Sequence, residues 1–98
     1  MNHTLNGDNV EITDALRGFV AEKLAELDVQ GTDTSSARVT LKTDGSKQSA
    51  SGTLQVDGHD LTAITATASD LHTAIDQLVN KLYAQLKRHK QRQYGRPQ

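Results

Sequence analysis

Apolar positions recur along the chain with two different periods, and the places where the period changes lay out the elements. In "NHTLNG", Leu5 stands between polar neighbours, which predicts a short opening strand. The period then lengthens. Leu16, Phe19, Val20, Leu24 and Leu27 fall at i, i+3, i+4, i+8 and i+11, one stripe of a helix. Thr13 suits its N-cap, and Asp14 suits the first turn, where unpaired N–H groups favour negative charge. Gly18 weakens this helix by about 1 kcal/mol relative to Ala unless something packs there, and Gly31 can end it.

The middle of the chain has period two. Val39 and Leu41 alternate with polar residues in "ARVTLK", as do Leu54 and Val56 in "QSASGTLQV", and "HDLTAITATA" follows. Asp44-Gly45 and Asp57-Gly58 separate these runs and predict hairpins with type I′ turns, which need φ > 0 at both central residues. Pairing about the second turn sets Leu54 opposite Leu61. Beyond Leu61 the alternation blurs across Ala63, Ile64 and Ala66, the signature of a bulge. Ser69 and Asp70 then cap a second helical stripe of Leu71, Ile75, Leu78, Val79, Leu82 and Leu86, running from about residue 70 to the low nineties, before Gly95 and Pro97. The expected fold is α+β, in the order β-α-β-β-β-α, with two helices packed on one face of a four-stranded sheet. It forms a single domain over residues 1–92, with a flexible tail at 93–98.

Composition narrows what such a domain can do. Among 98 residues there are three aromatics, no Trp and no Cys. Aliphatic side chains must therefore fill the core, and disulfides and thiolate metal sites are excluded, which fits a reducing cytoplasm. The longest apolar run is too short to span a membrane, and the polar opening residues do not resemble a secretory signal.

The formal net charge of −1 conceals a gradient. Residues 1–33 sum to −5, residues 34–69 to zero and residues 70–98 to +4, and the last eighteen residues hold six Lys or Arg and no acid. At roughly 100° per residue, Lys81 and Arg88 overlie one another on one side of the second stripe. Lys87 lies on the other side, with Lys90 and Tyr83 nearer the seam. The helix is thus expected to show a basic back over an apolar belly, an array that binds phosphates by ion pairing and counterion release. A solvated edge on which Lys and Arg merely snorkel gives the same pattern. No catalytic constellation accompanies it. The four histidines (His3, His59, His72, His89) have no i, i+4 partner, Asp57-Gly58-His59-Asp60 is explained by a turn, and no nucleophile–base pair, P-loop or dinucleotide fingerprint is present. The chain reads as no enzyme, with no cofactor, metal or small-molecule substrate.

Two stretches, "NVEITDALRGFVAEKLAEL" (9–27) and "AIDQLVNKLYAQLKRHK" (74–90), together resemble the short ribosome hibernation promoting factors of bacteria, the ribosome-associated inhibitor or sigma-54 modulation proteins. The likeness runs from about residue 3 to 90. It implies the same fold, a cytoplasmic location, and binding to the small ribosomal subunit through 16S rRNA near the decoding centre. There the factor blocks mRNA and tRNA and inhibits translation in stationary phase or stress. It also implies a monomer without the dimerisation domain of long forms, with a ribosome modulation factor as a possible further partner. Carried over residue by residue, Arg17, Lys23 and Lys42 match family bases, as do Lys81, Arg88 and Lys90, while Lys87 joins the set from the phasing above.

The chain departs from the family pattern at Ala84 and Glu26, where bases are usual. It departs again at Gln30-Gly31, in place of an aromatic pair, and in the base-poor loop "DVQGTDTSSA". These departures leave an alternative open: a divergent paralogue acting as a protein-interaction module through the acidic first helix, with Glu22, Glu26 and Asp28 as its sensitive residues. A double-stranded-RNA binder is a third reading, disfavoured by the acidic Ser69-Asp70 start of the last helix.

Overall fold

Six elements follow in the order β1 (Asn2–Asp8), α1 (Asp14–Asp28), β2 (Thr34–Asp44), β3 (Lys47–Val56), β4 (His59–Ile64) and α2 (Leu71–Tyr94). The computed structural model describes residues 2–28, 34–56, 58–65 and 68–94. The helix stop at Gly31, Asp57, and residues 95–98 of the expected tail lie outside the described residues, whereas Gln93 and Tyr94, also assigned to that tail, are the last residues of α2.

Both helices start on side-chain caps. Leu16 N donates to Thr13 Oγ1 at 3.1 Å, and Thr73 N donates to Asp70 Oδ1 at 2.7 Å. The Thr73 amide holds the Asp70 carboxyl below the ordinary carboxylate range. Nothing lies within 4 Å of where a methyl on Gly18 would sit. Gly18→Ala should therefore raise stability by about 0.5–1 kcal/mol through helix propensity and a less flexible unfolded chain, read as a higher urea midpoint at constant m.

The sheet order is β1-β2-β3-β4 and the sheet is mixed. β1 runs parallel to β2, with Leu5 opposite Val39, and α1 makes the crossover that a parallel pair requires. β2, β3 and β4 form an antiparallel meander in which Leu54 faces Leu61. The first turn differs from its sequence-based assignment. Asp44 pairs with Lys47, so Gly45-Ser46 is the two-residue loop. Only Gly45 has positive φ there, at 65°, which is the type II′ pattern and not type I′. The asparagine-rich exit from β1 supplies the one non-glycine in that region among the described residues: Asn9, with φ 64° and Nδ2 donating to the Thr43 carbonyl at 3.2 Å.

The blurred alternation after Leu61 is a real irregularity. Ser51 pairs with Ile64, but Gln48 bridges Ala68, so the β4 side carries one extra residue. Buried Thr65 repairs the ladder there. Its hydroxyl accepts from Ala50 N at 2.8 Å and donates to Ala50 O at 2.9 Å.

One layer of side chains forms the core. Leu16, Val20, Leu24 and Leu27 of α1 and Ala74, Ile75, Leu78, Val79, Leu82 and Leu86 of α2 are buried against the inward residues Leu5, Val39, Leu41, Ala50, Leu54, Val56 and Ala63. Both helices cover the same face, because only that face presents this apolar set. The helices run in the same direction side by side: Phe19 meets the His72 ring edge-on at 4.6 Å, and four residues on, Lys23 meets Asp76 at 3.2 Å. α2 is much the longer, and in this register residue 81 stands level with the end of α1. The basic half of α2 therefore projects past the acidic helix, and the charge gradient of the sequence survives folding.

Candidate nucleic-acid interface

The exposed cations of α2, Lys81, Lys87 and Arg88, lie on two flanks, and the back between them is neutral at Asn80 and Ala84, both exposed, where the sequence led us to expect a basic back. The reason is arithmetic: Lys81, Lys87 and Arg88 each sit about 100–140° from the buried seam, short of the direct opposite side.

The flank over β4 is the better formed. Lys81 Nζ donates to the Ile64 carbonyl at 2.8 Å, and Gln85 Nε2 donates to the Thr62 carbonyl at 2.6 Å. These two bonds satisfy carbonyls on the outer edge of the sheet and fix α2 against it. Lys81 and Arg88 then line one open groove of about 400 Å³ with Thr62, Ile64, Ala84 and Gln85. Ile64 is 66% exposed at its rim. The groove brings together two of the expected RNA-binding residues and shows that Ala84, the family gap, lies between them.

Lys87 lies exposed on the opposite flank, on the side of Tyr83, which is 40% exposed. The Lys90 side chain lies outside the described residues. Lys23 is placed quite differently from a free phosphate ligand. Its ammonium is 3.2 Å from Asp76 and 3.9 Å from Glu26, and lies 5.6 Å from the Phe19 ring centroid. The hydrogen bond and charge of Asp76, then Glu26, raise its pKa. The residue clasps α1 to α2, with its charge already matched. Arg17 is exposed on the other flank of α1, about 120° around from Lys23.

Lys42 lies on the open face of the sheet, level with Asp8 of β1 and Ser49 of β3. The sequence reading passed over its neighbour Arg38, on the same strand and face. Arg38 lines a shallow 240 Å³ dish with Thr4, Ser36, Thr53, Gln55 and Asp60. The alternation around Val39 and Leu41 carried the signal, since it sends Arg38 and Lys42 together to the side away from the core. The other six expected residues thus divide among an α2–β4 groove, the α1 side of α2, α1 itself and the open sheet face.

A family model described as "Sigma 54 modulation protein / S30EA ribosomal protein" matches residues 4–94. A ribosome hibernation promoting factor of Pseudomonas putida is 37% identical over 93 residues, covering 95% of this chain and 90% of the relative. One from Escherichia coli (strain K12) is 39% identical over 90 residues, covering 92% and 94%. Among solved structures, the N-terminal domain of Protein Y from Thermus thermophilus superposes with a TM-score of 0.82 at 38% identity, covering 91% of this chain and 99% of that one. A ribosomal subunit interface protein from Coxiella burnetii gives 0.84 at 24% identity, covering 92% and 98%, and supports the fold. With the family match spanning residues 4–94 and these relatives aligned over nearly their whole length, the chain belongs to the Sigma 54 modulation protein / S30EA ribosomal protein family.

Proposed function

We propose that the protein is a ribosome hibernation factor that works by occupancy in the cytoplasm, binding the small ribosomal subunit near the decoding centre and excluding mRNA and tRNA. The reading rests on the hibernation promoting factors that share 37% and 39% of their aligned residues with it. The observation that carries it on this molecule is the basic half of α2 projecting past α1, with Lys81 and Arg88 in one groove. Lys87, Arg17, Lys42 and Lys90 are further phosphate ligands in this reading, and Lys23 serves it by holding the helices in register. No catalytic step is required: side-chain cations neutralise phosphates, and a rigid domain fills the space.

Co-sedimentation of the protein with purified small subunits tests it directly. Six phosphate contacts, through Arg17, Lys42, Lys81, Lys87, Arg88 and Lys90, give a slope of log K against log salt between about −4 and −5.5, or roughly a 300- to 2,000-fold loss of affinity for a fourfold rise in salt. Failure to sediment with the subunit at low salt would sink the proposal. Co-purification with a protein partner that survives nuclease treatment and lacks ribosomal RNA would favour an interaction module built on the acidic α1 instead.

A further inference from the structure

Two large apolar side chains stand exposed among the described residues, Ile64 at 66% and Tyr83 at 40%. Both belong to the basic end of the molecule. Ile64 borders the α2–β4 groove whose cations are Lys81 and Arg88, and Tyr83 lies on the opposite flank, one turn before exposed Lys87. We propose that this end of α2 selects unpaired RNA: Tyr83 stacks on a nucleobase, Ile64 packs against a second base or its ribose, and the cation beside each takes the adjoining phosphate. The proposal rests on the reading of α2 as an RNA-binding element and gives that element a ligand class.

The placement carries it. Apolar residues scattered singly over a surface need no explanation, but these two flank the stretch of α2 that has no carboxylate, since no Asp or Glu occurs after Asp76. At a spacing of four residues, the Cβ atoms of Tyr83 and Lys87 stand about 6 Å apart on one face of the helix, so a ring and an ammonium can meet one nucleotide together. On the other flank, Lys81 Nζ donates to the carbonyl of Ile64 itself at 2.8 Å, which holds a charge next to the exposed side chain. An ammonium has three donors, so two remain for phosphate oxygens. Arg88 lies about 10 Å further along the same groove.

This pairing of apolar and basic groups selects the form of the RNA. A duplex hides the faces of its bases in the stack and offers phosphates alone. Its denser charge releases more counterions, about 0.9 per contact against about 0.7 for a single strand, so cations by themselves favour the duplex. An unpaired strand exposes its base faces, and each base stacked on an aromatic ring strengthens binding by at least about fivefold. Every base has such a face, so the site reads strandedness and not sequence. Tyr83 and Ile64 therefore reverse the order that charge alone would set.

Fluorescence anisotropy of the full chain with a labelled oligouridylate, and with an RNA duplex of the same length, tests the proposal. At equal salt the single strand should bind about fivefold tighter than the duplex. Tyr83→Ala should weaken the single strand by at least about fivefold and leave the duplex unchanged, which also reports that fold and cations are intact; Tyr83→Phe, which keeps the ring, should bind as before. Ile64→Thr, which keeps the carbonyl that Lys81 uses, should cost about fourfold on the single strand alone. A duplex bound as tightly as the single strand would overturn the proposal, as would Tyr83→Ala weakening both RNAs alike. A Tyr83→Ala loss seen with intact small subunits but not with oligouridylate would assign the ring to a protein contact and overturn it too. No ribosome enters the anisotropy measurement, so a single-strand preference in a protein that fails to co-sediment would uphold this inference and sink the ribosomal reading alone.

Discussion

Replacing Lys81 and Arg88 together by Glu is expected to abolish co-sedimentation with the small subunit while leaving the unfolding midpoint close to its original value. Counterion release contributes about 0.9 of a decade per phosphate contact at 0.1 M salt, so losing both contacts alone weakens binding by about 60-fold, and two new carboxylates in the groove add repulsion on top. Lys81→Gln with Arg88→Gln isolates the first part: about 60-fold weaker, with a salt slope shallower by about 1.8. Both side chains are exposed, and the bond lost from Lys81 to the Ile64 carbonyl is a surface one. The change in stability should therefore stay within the half-kilocalorie typical of surface substitutions. Ala84→Arg supplies the opposite sign. Ala84 lies in the same groove, exposed and between the two cations, so a guanidinium there should tighten binding by up to about eightfold and steepen the slope by about 0.9. Unchanged affinity and slope in the charge-reversed protein would place the interface elsewhere, with Arg38 and Lys42 on the open sheet face as the next residues to reverse.

What the sequence disclosed follows from the range of the interactions involved. Helix stripes, caps and strand alternation are local. Thr13, Asp70 and the facing pair Leu54–Leu61 were accordingly readable in advance, and the structure places them as expected. The turn type was missed for a local reason. An Asp-Gly pair suits a type I′ turn at its own two positions, but the pleat of β2 keeps Asp44 in the ladder, which moves the loop on by one residue. The parallel pairing of β1 with β2 was not legible, because a short strand before a helix has no pattern that distinguishes its direction.

The same division holds at the candidate site. Helical phasing gave the two flanks of α2 from residues a few positions apart. It could not show that Lys23 is matched by Asp76, 53 positions along the chain, nor that Lys81 meets the Ile64 carbonyl, since these depend on how α1, the sheet and α2 dock. Lys23 illustrates the consequence. Likeness to a family base marks it as a phosphate ligand, and only the fold reveals that it also pairs with Asp76 and Glu26.

Among the contacts that dock α2, one is a close approach to the β3 backbone, and disturbing it should have a large effect on stability. Leu78 is fully buried and packs over Gly52, the inward residue of β3 where a methyl group would lie 3.2 Å from both Leu78 Cδ2 and the Arg38 carbonyl oxygen. Glycine is needed there for space, so that the helix can settle onto the strand. Leu78→Ala is expected to cost about 3–5 kcal/mol, from lost transfer energy plus the cavity left under a helix held by its neighbours. That is a large part of the 5–15 kcal/mol available to a domain of this size, and denaturant titration would read it as a fall in midpoint at constant m. Gly52→Ala should destabilise by about 1–3 kcal/mol for the opposite reason, overpacking against a backbone oxygen that cannot swing away. The double variant decides whether the two share one site. The new methyl enters the space Leu78 has vacated, so the combined loss should fall short of the sum by about 0.5–2 kcal/mol, whereas strict additivity would mean that the helix and strand do not meet at this point. Gly52→Ala should also weaken RNA binding slightly, because raising α2 at Leu78 shifts Lys81 and Gln85, one and two turns further on, away from the β4 carbonyls that fix the groove.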